Sequence, residues 1–178
     1  ESSVDSVVVS AYFSAFDSFY VEKDLMKLKY AVLPIEATAA DEAKIREYAM
    51  TLYFQLTDST STTNFEELAR ITSEDPASAE QGGLLGDYTA RGAWVKEFED
   101  VAFALDSGAI SEPVRTKYGF HIIQSHGKKV DSTGAELVKV SHILLAVTAS
   151  SETIDSLERI MEDVKVAFES SENFDAAA

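Results

Sequence analysis

The 178-residue chain contains no cysteine, three prolines, three histidines and one tryptophan, and its 15 Lys and Arg are outnumbered by 31 Asp and Glu. Without cysteine there is no disulfide, no thiolate nucleophile and no Cys-ligated zinc. The formal charge of −16 repels phosphate, and no basic cluster offsets it, which disfavours nucleic acid and anionic membrane surfaces as partners. No apolar run approaches the ~18 residues of a membrane span. The three histidines lack metal-ligand spacing, so no metal site is expected. No cofactor is expected either: "GGLLG" lacks Walker or dinucleotide spacing and a following Lys.

Glycine is also scarce, yet four of the eight, Gly82, Gly83, Gly86 and Gly92, fall in "GGLLGDYTARGAWVKEF" (82–98), just ahead of Trp94. Around this stretch the periodicity alternates between helix and strand. Residues 4–20 and 40–56 have helical apolar spacing, the latter at Ile45, Tyr48, Ala49, Leu52, Tyr53 and Leu56. Thr63 and Glu66 read as a capping box opening a short helix over "NFEELARIT". "VKEFEDVAFAL" (95–105) predicts a helix burying Phe98, Val101, Ala102 and Leu105, and residues 151–170 predict another with Ile154, Leu157, Met161 and Phe168 on one face. Strands are expected in 26–35, on both sides of a bend at Gly119 within 113–126, and in 138–147. The fold class is α+β, a small antiparallel sheet with surrounding helices.

A repeat is present. "LKYAVLPIEATA" (28–39) aligns with "VKVSHILLAVTA" (138–149), and "NFEELA" (64–69) with "NFDAAA" (173–178). A long-period match of this kind predicts duplicated domains. The expected layout is a helical segment over 1–25, a complete domain over 26–128, a polar linker over 129–137 and an incomplete second copy over 138–178.

The succession "NFEELARITSEDPASAEQGGLLG", "VKEFEDVAFAL", "GAISEPVRTKYGFHIIQ" resembles the parvulin-type peptidyl-prolyl isomerases, notably envelope foldases and chaperones of the SurA, PpiD and PrsA kind. The resemblance covers 26–128 in full and 138–178 in part. It implies rotation about X–Pro bonds of unfolded, proline-containing polypeptides in the periplasm or cell envelope, with no cofactor. It also implies site residues: Asp75, Thr116 and His121 as the catalytic polar set, with Leu85, Trp94 and Phe98 lining the proline pocket. Residue by residue, Phe98 is read equally well as core. A strand histidine such as His121 is by itself more often structural, but its spacing from Thr116 favours the functional reading.

Two positions depart from the family pattern. Where the second copy has "SHIL" (141–144), the first has "AVLP" (31–34), so Val32 stands at the first histidine; and Leu84 replaces the Asp of "GGDLG". A valine makes no hydrogen bond. The expectation is a first domain of weak activity, with a non-catalytic binding module as the alternative and a spacer domain as a third reading. His142 is expected to serve the second copy. Residues 138–178, with an unpaired strand edge and an apolar helix face, are expected either to fold back on residues 1–20 or, the favoured outcome, to pair with a second molecule as a homodimer contact.

Overall fold

A computed structural model of the chain describes Tyr30 and residues 32–170. The expected helix over 4–20 and part of the expected strand over 26–35 lie outside these. Helix α1 (Ala39–Thr57) starts where Thr38 and Asp41 form a reciprocal capping box: Asp41 N–H donates to Thr38 Oγ1 at 3.2 Å, and Thr38 N–H to Asp41 Oδ2 at 2.8 Å. Helix α2 spans Phe65–Thr72 and is capped by Asn64, which accepts from the Glu66 N–H. This corrects the expected Thr63–Glu66 box. Asn64 sits one residue nearer the first turn, and the Thr63 hydroxyl is taken up by Ser61 in the preceding loop. Strand β1 (Thr89–Ala90), helix α3 (Lys96–Ala104), strands β2 (Val114–Thr116), β3 (Gly119–Val130) and β4 (Glu136–Ala146), and helix α4 (Ser151–Ser170) follow.

The four strands form one antiparallel sheet in the order β1-β4-β3-β2. Side chains alternate across β3 and β4, and both faces are covered. On one face Phe120, Ile122, Ile143 and Leu145 pack against Ala49 and Leu52 of α1 and Phe65 and Ala69 of α2. On the other, Ile123, Val138 and Val140 pack against Phe98, Ala102 and Phe103 of α3. Ile122, Ile123 and Ile143 are fully buried, each worth about 1.5–3 kcal/mol in area removed from water. The expected apolar face of α1 is buried at Ala49 and Leu52, but Tyr48 is exposed. In α3 the sequence pattern passed over the buried Phe103, whereas Val101 and Leu105 are only partly covered.

Residues 129–137 differ from the expected linker. Their ends belong to β3 and β4, with Val130 opposite Glu136. Between them Asp131 builds a tight turn, its Oδ1 accepting from Thr133 N–H at 2.8 Å and Ala135 N–H at 3.0 Å. The strand expected to open a second copy is therefore an inner strand of this sheet, hydrogen-bonded along both edges, and offers no free edge to a second molecule. Conversely, the described part of the 26–35 segment, Tyr30 and 32–35, is in no strand.

Candidate active site

The site lies where the α3 face of the sheet meets the loop between α2 and β1. Gly83 sets this loop against β4. At φ 79° it occupies the left-handed region, its carbonyl accepts from the His142 N–H at 2.8 Å, and a Cβ there would fall 2.1 Å from the His142 carbonyl oxygen. Only glycine permits that approach. The next bond, Leu85 N–H to Val140 C=O at 3.0 Å, carries Leu85 over the sheet. The glycines ahead of Trp94 thus let the backbone turn and lie close on β4 before α3 begins.

An open cavity of about 460 Å³ results, lined by Asp75, Leu85, Ala93, Trp94, Val95, Phe98, Tyr118, His121, His142 and Leu144. Trp94 meets Phe98 edge-on, with ring centroids 5.5 Å apart. Phe98 in turn presents to both imidazoles, 5.3 Å from His121 and 5.7 Å from His142. Phe98 is both core and cavity wall. Five of the six residues singled out from the sequence, Asp75, Leu85, Trp94, Phe98 and His121, line this one cavity. Thr116 is buried behind His121. Leu84 points elsewhere, lining a separate polar cavity with Glu66, Tyr88 and His126.

Behind the apolar wall runs a chain of hydrogen bonds. Thr116 Oγ1 is 2.8 Å from His121 Nε2, His121 Nδ1 is 3.1 Å from His142 Nδ1, and His142 Nε2 is 2.9 Å from Asp75 Oδ2. Asp75 also accepts from Ser78 Oγ at 2.5 Å and from the Ala77 N–H at 3.2 Å. One proton arrangement satisfies every contact. His142 donates from Nε2 to the carboxylate, which leaves its Nδ1 as acceptor. His121 donates from Nδ1 into that lone pair, and its own Nε2 accepts from the Thr116 hydroxyl. Thr116 Oγ1 then accepts from the Tyr118 N–H at 3.2 Å.

This arrangement needs both imidazoles neutral. Burial, with His142 alongside, pushes His121 down to about 4. Burial also pushes His142 below its ordinary value, against the opposing pull of Asp75. Burial raises Asp75, but its bonds from Ser78, His142 and Ala77 outweigh this and hold it below the usual carboxylate range. At neutral pH the Asp75–His142 contact is therefore a neutral donor on a carboxylate rather than an ion pair.

His142 is the residue the sequence reading placed elsewhere. Val32, expected at this position of the network, is 74% exposed and outside the sheet, and the Ser-His-Ile-Leu strand occupies the place next to His121. The network is complete, which corrects the expectation of a missing histidine. The signal was visible in the repeat: the pattern absent at 31–34 is present at 141–144. Ser78, which holds Asp75, carried no sequence signal.

A family model described as the rotamase, PPIC-type PPIASE domain matches residues 25–127. The chain belongs to this rotamase family. Foldase protein PrsA 1 of Bacillus cereus is 54% identical over 61 residues, 34% of this chain and 21% of that protein. Foldase protein PrsA of Geobacillus sp. (strain WCH70) is 38% identical over 113 residues, 60% of this chain and 39% of that protein. A crystal structure of the peptidylprolyl isomerase PrsA from Bacillus anthracis is similar with 27% identity and a TM-score of 0.37, over 72% of this chain and 49% of that one. The chain spans less than half the length of these relatives. The rotamase match ends at residue 127, within β3, whereas the histidine that joins His121 to Asp75 stands at 142, outside it.

Proposed function

We propose that this chain catalyses cis/trans isomerisation of X–Pro bonds in unfolded polypeptides, acting as a folding factor in the cell envelope. The observation that carries the proposal is the pairing of an apolar cavity with a hydrogen-bonded polar chain along one wall, its two imidazoles buried and neutral and its terminal carboxylate ionised. The barrier to X–Pro rotation, ~18–20 kcal/mol, comes from amide resonance. No bond is broken, so a catalyst needs neither nucleophile nor metal. It must bind the twisted amide better than the planar one.

Leu85, Trp94 and Phe98 provide a surface for the pyrrolidine ring and keep water from the amide. Twisting reduces the charge separation of the amide, so a dry apolar wall favours the twisted form. The Thr116–His121–His142–Asp75 chain fixes the two imidazoles, so the polar wall is set before substrate arrives and does not reorganise during rotation. The net charge of −16 favours polypeptide segments that are not themselves acidic. The envelope location rests on the likeness to foldases named PrsA; among the described residues no helix is long and apolar enough to cross a membrane.

The decisive experiment is two-dimensional exchange NMR on a proline peptide with the 178-residue protein at catalytic concentration. Exchange cross-peaks that strengthen with protein support the reading. Line broadening from binding without faster cis/trans exchange would overturn it in favour of a binding module.

A further inference from the structure

Two segments of this chain claim one place in the sheet. The rotamase match, 25–127, includes residues 28–35 and excludes β4. The structure does the opposite, placing β4 beside β3 and leaving the described residues of 28–35 in no strand. The two segments align at an offset of 110 residues, Tyr30 with Val140, Val32 with His142, Leu33 with Ile143, and Ile35 with Leu145. Alternate residues of the first segment are apolar on both faces, the pattern of a strand covered on both sides. Yet Tyr30, Val32 and Ile35 are 77%, 74% and 65% exposed, and Leu33 and Ile35 line an open cavity beside Ile154, Leu157 and Met161 of α4.

The geometry also brings the two segments to the same point. Each runs into a helix through a short connection, into α1 at Thr38 and into α4 at Ser150. Those two helix starts touch. Asp41 of α1, itself buried, accepts from Thr38 Oγ1 at 2.8 Å and from Thr153 Oγ1 of α4 at 2.7 Å. Lys44 of α1 meets Glu152 of α4 at 2.6 Å. The connections are both short, three residues from Ile35 to Thr38 and five from Leu145 to Ser150. The first segment is thus tethered beside the end of β4, with α1 already seated on the sheet.

We infer that residues 28–35 and 136–146 are alternative occupants of this one strand position, and that their exchange within a chain completes or dismantles the site. The exchange itself is independent of the proposed isomerase activity; its effect on turnover rests on that reading. With β4 in place the relay is continuous. With the first segment in place, Val32 leaves His121 Nδ1 and Asp75 without their shared partner. Pro34, at the position of Leu144, has no N–H to give Ser73 Oγ, which Leu144 now reaches at 3.1 Å. Ala31, at the position of Ser141, leaves His126 without its 2.8 Å contact. These losses, and the bulk of Tyr30 where Val140 is buried, make β4 the favoured occupant. The first segment is a minor one whose entry switches the site off and frees β4 with α4.

The chain has no native cysteine, so a disulfide reports directly on the occupant. Ser125 faces Val140 across β3 and β4, and both Val140 C=O and Leu144 N–H bond away from β3. That makes 125/140 a non-hydrogen-bonded pair, with Cα atoms ~4.5 Å apart, within disulfide range. In the full 178-residue chain, Ser125→Cys with Val140→Cys should link rapidly under mild oxidation. Ser125→Cys with Tyr30→Cys should link more slowly, as a monomer on non-reducing electrophoresis, to completion. Failure of the 30/125 pair to link while 125/140 links, or its linking only between two chains, would overturn the inference. Should the cysteine variants not fold, rescue decides. His142→Ala should lower isomerase turnover, and adding Val32→His should restore it at least tenfold. Equal turnover in the single and double variants would overturn the exchange. The cross-link is read without activity, so it stands or falls separately from the isomerase reading.

Discussion

At the scale of single residues, the site depends on two neutral imidazoles held between a hydroxyl and a carboxylate. Thr116→Val keeps the shape of the side chain but removes the donor to His121 Nε2. It should lower turnover by at least about tenfold, ~1.4 kcal/mol of barrier, while Thr116→Ser retains most activity, measured by exchange NMR on a proline peptide. The pH dependence has a definite sign. His121 is held at about 4 and His142 below its ordinary value, so between about 4 and 6.5 the unfolded chain binds more protons than the folded one. Stability is full above 6.5 and falls as the pH drops toward 4, by on the order of 3 kcal/mol for His121. The depressed Asp75 adds a loss of the same direction at lower pH. Urea unfolding from pH 7.5 to 4.5 should show this decline, and His121→Phe should flatten it even if its absolute stability is lower.

At the scale of elements, the loop before β1 is positioned by backbone rather than by side chains. Gly83→Ala would place a methyl against the His142 carbonyl and force an L residue to φ 79°. The backbone strain and overpacking together should cost about 2–4 kcal/mol, read as a lower urea midpoint. Activity should fall as well, since the shift moves β4 and with it His142. Helix α2 offers a milder case. Asn64→Ala removes the cap that accepts from Glu66 N–H at 2.9 Å and should cost about 1 kcal/mol with little effect on turnover, because α2 lines the opposite face of the sheet from the cavity. The helices were legible in sequence because each buries one stripe at a 3.6-residue period. Boundaries set by caps were less so, since Asn64 and Thr63 are both acceptable caps and only the path of the preceding loop chooses between them.

At the scale of the whole molecule, the imbalance of 31 acidic over 15 basic residues means that folding compresses like charges. Raising sodium chloride from 0.05 to 0.5 M should raise the urea midpoint, because screening shortens the Debye length from about 14 Å to about 4 Å; an unchanged or lower midpoint would show that local ion pairs such as Lys44–Glu152 outweigh the global repulsion. By itself the sequence determined the fold class, most of the helices and strands, the family resemblance, and five residues that meet at one cavity. Those follow from local periodicity and from side-chain types at characteristic spacings, which need no knowledge of the rest of the chain. It also showed that two segments carry the same strand pattern, but not which of them enters the sheet. That choice fell to tertiary structure. Ser73 and Asp75 come from one loop and His121 and His126 from one strand, 15 to 71 residues from their partners in β4, and each makes its hydrogen bond when β4 is seated. Val32 at the place of His142 would leave the buried His121 Nδ1 without a partner and take one donor from Asp75, a cost that appears only once the sheet is assembled around them.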